Sequence, residues 1–190
     1  MARTPSVMID LGTKAPEFSL LEPLTGKIVS LSDFKSQPVL VAFICNHCPY
    51  VVHIRDAFSQ FAKDFSDKGL AVIAINSNDV ENYPDDSPEK MIESVKEHGF
   101  TFPYLYDESQ SVAKSYQAAC TPDFYLFDAN HELYYRGQFD SSRPRNNEPV
   151  TGKDMIAAAT ALLNGEPAPT EQLASLGCNI KWKQGNEPQN

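Results

Sequence analysis

Cys45-Asn46-His47-Cys48 is the stretch of this sequence whose residue types and spacing can do chemistry. A thiolate attacks disulfides, whereas a thiol with an ordinary pKa of about 8.5 is mostly protonated at neutral pH. The unpaired N–H groups and positive dipole end of a helix N-terminus favour the anion, and thiols at i and i+3 share a helix face. The spacing therefore predicts Cys45 as the attacking nucleophile at a helix start, with Cys48 one turn on to resolve the mixed disulfide. Between them, His47 in its cationic form would stabilise a thiolate and make the couple more oxidising. A solvent-facing histidine of little effect is the plainer alternative. Val39, on the strand that leads to the cysteines, puts an apolar side chain where a buried acid could accept a proton. The competing use of a C-x-x-C pair is metal binding, with His53 or His131 as a further ligand. Structural zinc takes four protein ligands and commonly two paired motifs, and only one pair is present, so no metal and no cofactor is expected.

The elements around this motif are legible. Val39 to Ile44 is a continuous apolar run rich in β-branched residues, as in a strand buried on both faces. Val51, Ile54, Phe58, Phe61 and Phe65 then recur at helical spacing up to Lys68-Gly69, and Leu70 to Ile75 is a second buried strand. The cysteines thus fall where a strand end meets a helix start, the edge at which open α/β sheets place their chemistry. Upstream, apolar stretches at residues 18–20 and 27–31 flank Thr25-Gly26 and predict a lid-like β-hairpin. Downstream, Asn76 to Glu89 reads as a solvated acidic loop, and Ser87-Pro88 as the cap of a helix ending near His98-Gly99. Phe102 to Tyr106 is a short strand, and Asp107 caps a brief helix to about Tyr116. Residues 123–128 and 133–138 form an antiparallel pair, and residues 152–163 an alanine-rich helix.

Composition bounds the rest. The chain has 190 residues, 42% hydrophobic and 22% charged, as in one ordinary globular domain. We read residues 1–190 as a single domain, with a core over about 10–165 and a docked C-terminal tail over 166–190. Its longest apolar run is far shorter than the roughly 20 residues of a bilayer span. With 16 basic against 25 acidic residues the net charge is −9, which disfavours nucleic acid and anionic membrane partners. Residues 1–12 lack the apolar core of a secretory signal, and four cysteines are too few for a disulfide scaffold, so a cytoplasmic location is expected.

The order of elements, with Gly12-Thr13-Lys14-Ala15-Pro16-Glu17-Phe18, Cys45-Asn46-His47-Cys48-Pro49-Tyr50 and Thr121-Pro122 ahead of Phe127-Asp128, resembles the thioredoxin fold. Within it the chain is similar to the redoxins of the AhpC/TSA, peroxiredoxin-like type. The resemblance implies an α/β three-layer sandwich, a mixed central sheet with helices on both faces. It implies further that Pro122 is cis and abuts Cys45, and that the Thr121 backbone pairs with an extended substrate. Cys48-Pro49 matches the peroxidatic Cys-Pro of peroxiredoxins. Those proteins also carry Thr or Ser three residues earlier, Pro four further back and Arg on the later strand, where this chain has Cys45, Val41 and Pro122. The residues therefore favour a thiol–disulfide oxidoreductase serving redox homeostasis. An antioxidant thiol peroxidase is the alternative, and a metal-binding module the third reading. The expected partners are a disulfide-containing protein, a small-thiol or hydroperoxide substrate, and a cellular thiol reductant. Cys120 is an accessory thiol or a small buried apolar residue. Cys178 lies in the tail, and inertness is its simpler reading.

Overall fold

The computed structural model describes residues 3–188. In chain order its elements are β1 (Arg3–Pro5), β2 (Ser19–Glu22), β3 (Lys27–Ser30), β4 (Val39–Phe43), α1 (Pro49–Ser66), β5 (Ala71–Asn76), α2 (Pro88–His98), β6 (Tyr104–Tyr106), α3 (Ser111–Ser115), β7 (Cys120–Thr121), β8 (Asp123–Phe127), β9 (Leu133–Tyr135), α4 (Lys153–Leu163) and β10 (Leu176–Asn179). Short 3-10 turns cover Leu31–Phe34 and Pro84–Asp86. Among the described residues, seven strands form one mixed sheet in the order β3-β2-β6-β5-β4-β8-β9. β4 runs parallel to β5, and β5 to β6, while β8 is antiparallel to β4.

The central strand shows why this sequence folds this way. Every residue of β4 is buried, and side chains alternate between the two faces of a sheet. Leu40 and Ala42 enter one apolar layer with Ile54, Phe58 and Phe61 of α1, Met91 of α2 and Met155 of α4. Val39, Val41 and Phe43 enter the other, with Ile73, Leu105, Val112, Tyr116 and Tyr125. A strand apolar at every position is what two covered faces require.

The structure revises three expectations. The β2–β3 hairpin is no lid: Leu21 pairs with Tyr106, so the hairpin extends the central sheet. Asp107 does not cap α3, which starts at Ser111 after Gln110. Its buried carboxylate instead accepts from Ser77 Oγ at 2.9 Å and from the Ala113 amide at 2.9 Å. The acidic loop is not solvated throughout, since Asn76, Ser77, Asn78, Asp79 and Asp86 are buried.

A second, small sheet has the order β1-β10-β7. Cys178 pairs with Thr121 on one side of β10 and with Arg3 on the other. The tail residues that follow are held by polar contacts: the Asp79 amide donates to the Lys181 carbonyl at 2.8 Å, and the Lys181 amide to Asn78 Oδ1 at 2.9 Å. The segment after α4 is therefore built into the fold at the edge where the cysteines sit.

Candidate active site

Pro49 sets the geometry of the dithiol. Proline is tolerated at the first helical position and steers the residue before it away from the α region. Cys48 accordingly takes φ −66°, ψ 122° as the N-cap of α1, and its carbonyl accepts the first helical bond, from the Val52 amide at 2.9 Å. This corrects the placement expected from spacing: Cys48 holds the helix N-terminus, while Cys45 lies before it on the strand-to-helix turn. The two do not share a helix face. Both are buried, Cys45 at 2% exposure and Cys48 at 0%, so the dithiol is covered.

The Thr121–Pro122 peptide bond is cis. Thr121 faces both sulfurs, with its Oγ1 3.5 Å from Cys45 Sγ and its carbonyl oxygen 3.1 Å from Cys48 Sγ. The four residues singled out for the reaction (Cys45, Cys48, Thr121 and Pro122) are thus brought together. The edge of Thr121, however, is not open to a substrate, because β10 already pairs with it. Gly177 permits this approach, since a Cβ there would stand 2.0 Å from the Thr121 carbonyl oxygen.

Cys48 is the sulfur of the pair whose pKa is lowered. The neighbouring Cys45 thiol pulls its pKa down to about 5, against burial. The same contact, burial and the charge of Asp86 raise Cys45 well above the ordinary thiol value. The Thr121 carbonyl contact opposes ionisation, because only an S–H donates to it. Titration of the ultraviolet thiolate absorbance is expected to show a midpoint of about 5 that Cys48→Ser abolishes. The sign for stability follows from linkage. The folded value lies below the free-thiol value, so the anion's stabilisation is complete above about pH 8.5 and is lost as pH falls through the folded value.

Asp86 is the site residue that the sequence reading missed. It is fully buried, and its Oδ1 accepts from the Asn46 amide at 2.8 Å and the His47 amide at 3.3 Å. Its Oδ2 lies 2.6 Å from His47 Nδ1 and accepts from Asn78 Nδ2 at 2.8 Å. One carboxylate thus ties down the turn between the cysteines. Burial pushes its pKa up, but His47, Asn78 and the Asn46 amide outweigh this and hold it below the usual carboxylate range. The hydrogen bond to Asp86 in turn raises His47 above its ordinary value, against partial burial. His47 stacks on Tyr83 with ring centroids 5.7 Å apart, so it is not simply solvent-facing.

Asp86→Asn is expected to return the His47 pKa towards its ordinary value of about 6.5, read by NMR titration, and to lower stability by about 1–3 kcal/mol. A raised histidine pKa contributes stability present below the unfolded value and lost as pH rises through the folded one. The destabilisation should therefore be larger at pH 6 than at pH 9, after allowance for the lost amide bonds. An unmoved His47 titration would show that Asp86 does not hold it.

The histidines proposed as further metal ligands are engaged elsewhere. His53 Nε2 is 2.7 Å from Ser142 Oγ, and His131 Nε2 is 3.1 Å from the Phe34 carbonyl. A different trio lies together, with donor atoms of Cys45, His47 and Asp86 all within 4.8 Å of one another. Cys120 is buried, and its Sγ lies 3.6 Å from the Pro122 carbonyl. Strand alternation turns it to the face opposite Thr121.

A dithiol at the junction of a central strand and a helix, facing a cis-proline loop, is the arrangement of a thioredoxin-fold redoxin. The chain belongs to the AhpC/TSA family, whose model matches residues 11–136. It is 24% identical over 125 residues to the thiol-disulfide oxidoreductase ResA of Bacillus thuringiensis subsp. konkukian (strain 97-27), covering 66% of this chain and 68% of that protein. An uncharacterised conserved protein from Geobacillus kaustophilus is 51% identical, with a TM-score of 0.94 over 96% of this chain and 97% of the other. The thiol:disulfide interchange protein, thioredoxin family protein, from Chlorobium tepidum TLS shares the fold at 17% identity, with a TM-score of 0.61 over 82% of this chain and 99% of the other. No helix among the described residues is long and apolar enough to cross a membrane.

Proposed function

We propose that the chain is a thiol–disulfide oxidoreductase in which Cys48 attacks and Cys45 resolves. The observation that supports this reading most is the N-cap position of Cys48, at the positive end of α1 and against Thr121. In the first step the Cys48 thiolate attacks one sulfur of a substrate disulfide. A Cys48–substrate bond forms, the substrate S–S bond breaks, and the other substrate sulfur leaves as a thiolate. Cys45, deprotonated as it reacts, then attacks Cys48 Sγ, closing the Cys45–Cys48 disulfide and releasing the second substrate thiolate. The substrate is reduced by two electrons and the enzyme dithiol is oxidised. A cellular thiol reductant reverses the second change, in a cytoplasmic setting that keeps the dithiol reduced between turnovers. Asp86 and His47 position the turn and set the charge beside Cys45.

Thiol peroxidase activity is the second reading, favoured by one observation: Cys48, at the start of α1, is followed by proline. Stopped-flow mixing of the reduced protein with hydrogen peroxide and with a model disulfide separates the two. The oxidoreductase reading expects the larger second-order rate with the disulfide. A larger rate with peroxide, surviving Cys45→Ser but lost in Cys48→Ser, would replace it with the peroxidase.

A further inference from the structure

A substrate that adds to a strand edge supplies main-chain hydrogen bonds and presents alternate side chains to the site. In this chain that place is filled from within, since β10 lies antiparallel along β7 with Cys178 directly opposite Thr121. Directly opposed residues of antiparallel strands present their side chains on the same face. The Thr121 side chain is turned to the dithiol, with Oγ1 3.5 Å from Cys45 Sγ. The Cys178 thiol is therefore turned the same way. It is buried in the apolar layer that holds Cys45 and Cys48, directly across from the residue whose carbonyl meets Cys48 Sγ. Gly177 fixes the depth at which the strand sits, as any Cβ would collide with the Thr121 carbonyl. A cysteine thus stands where the reacting sulfur of a bound disulfide substrate would stand.

We propose that Cys178 is a second resolving thiol for Cys48, carried on a strand that occupies the substrate's place. This rests on the reading of Cys48 as the attacking sulfur. After attack on a small disulfide, Cys48 is bonded to one substrate sulfur. Cys178 attacks Cys48 Sγ, a Cys48–Cys178 bond forms, the Cys48–substrate bond breaks, and the leaving substrate thiolate takes up the Cys178 proton. From the Cys45–Cys48 disulfide the same attack gives Cys48–Cys178 and frees the Cys45 thiolate, with no net oxidation. Electrons enter or leave only through the substrate disulfide or the thiol reductant, and the three sulfurs form a relay centred on Cys48. Burial and the contact with Cys48 raise the Cys178 pKa to about 12, so it gives up its proton only as Cys48 ceases to be an anion.

The test uses the full chain with Cys45→Ser, reduced and then given one equivalent of oxidised glutathione. The reaction is quenched in acid, alkylated after denaturation and mapped by mass spectrometry. The expected result is loss of both the Cys48 and the Cys178 thiols, a peptide cross-link between them, and no retained glutathione. In Cys45→Ser/Cys178→Ser the glutathione adduct on Cys48 should persist. A Cys45→Ser protein that keeps glutathione on Cys48 with Cys178 alkylated overturns the proposal, as does one that stays fully reduced. Wild-type protein in the same assay reports separately on the proposed function. A Cys45–Cys48 cross-link there, or in Cys178→Ser where the relay is cut, upholds the dithiol reading even when Cys178 is found inert, whereas its absence from both sinks that reading. Gly177→Ala supplies a second, independent arm. Lifting β10 off Thr121 should slow formation of the Cys48–Cys178 bond in the Cys45→Ser background, and an unchanged rate would count against the strand's role.

Discussion

Cys48→Ser is expected to abolish the first step of disulfide exchange, lowering the burst of the first leaving thiol by at least about 10³-fold, as removal of a catalytic nucleophile does. Serine at this N-cap keeps the cap geometry but holds its proton at neutral pH, so no anion faces the substrate. Cys45→Ser is expected to keep the burst, because Cys48 retains its place at the N-terminus of α1. Loss of the Cys45 S–H removes the largest influence that lowers the Cys48 pKa, so the burst should slow at acid pH before it slows at neutral pH. Single-turnover mixing with a chromogenic disulfide reads both. The opposite pattern, with the burst lost in Cys45→Ser and kept in Cys48→Ser, would restore Cys45 as the nucleophile that motif spacing alone suggests.

Arg136→Met is expected to be the most destabilising of the substitutions considered. Arg136 and Asp123 are both fully buried, and their charges pair through Nη1 to Oδ1 and Nη2 to Oδ2, the latter at 3.1 Å. Arg136 also donates to the Phe124 carbonyl and to the Tyr125 hydroxyl, each at 3.0 Å, and lies 3.9 Å from the centre of the Tyr125 ring. Removing one partner leaves Asp123 charged and desolvated, which costs about 3–5 kcal/mol. Against a total stability of about 5–15 kcal/mol, that is a large fraction. The effect reaches the site because Asp123 adjoins Pro122 and accepts from the Ala119 amide at 3.1 Å and from Ser6 Oγ at 2.6 Å, anchoring the loop on both sides. Denaturant unfolding measures the loss, and a change under 1 kcal/mol would show that the pair is dispensable. The double variant Asp123→Leu/Arg136→Met, which removes both charges, should recover much of the deficit.

Most of the frame was legible because burial leaves a pattern. The all-apolar run before the cysteines, the helical spacing from Val51 to Phe65 and the Ser87-Pro88 cap each correspond to the observed β4, α1 and α2. Thr121-Pro122 ahead of a buried strand marked the loop that meets the dithiol. What escaped was partnership at long range. Asp86 sits among acidic residues that read as a solvated face, and only folding shows that two amides of the cysteine turn, some 40 positions earlier, converge on it. The Cys48 placement is written locally, in Pro49: proline opens the helix and pushes its predecessor outside it, which the C-x-x-C spacing alone does not show. The three residues of β1 and the four of β10 are too short for any periodicity, so their joining of the cis-proline loop had no local signal.

That short sheet also sets an order of events during synthesis. The seven strands of the main sheet are all made by residue 135, whereas the strand that shields the sulfurs comes from residues 176–179 and closes on partners at residues 120–121 and 3–5. Contacts of such sequence separation are entropically the slowest to form, and β10 is synthesised after every strand of the main sheet. A nascent chain arrested just after α4 is therefore expected to have its central sheet folded and Cys48 bare, open to whatever electrophile or disulfide the surrounding fluid carries. Closure of β10 is then the step that covers the reactive sulfur.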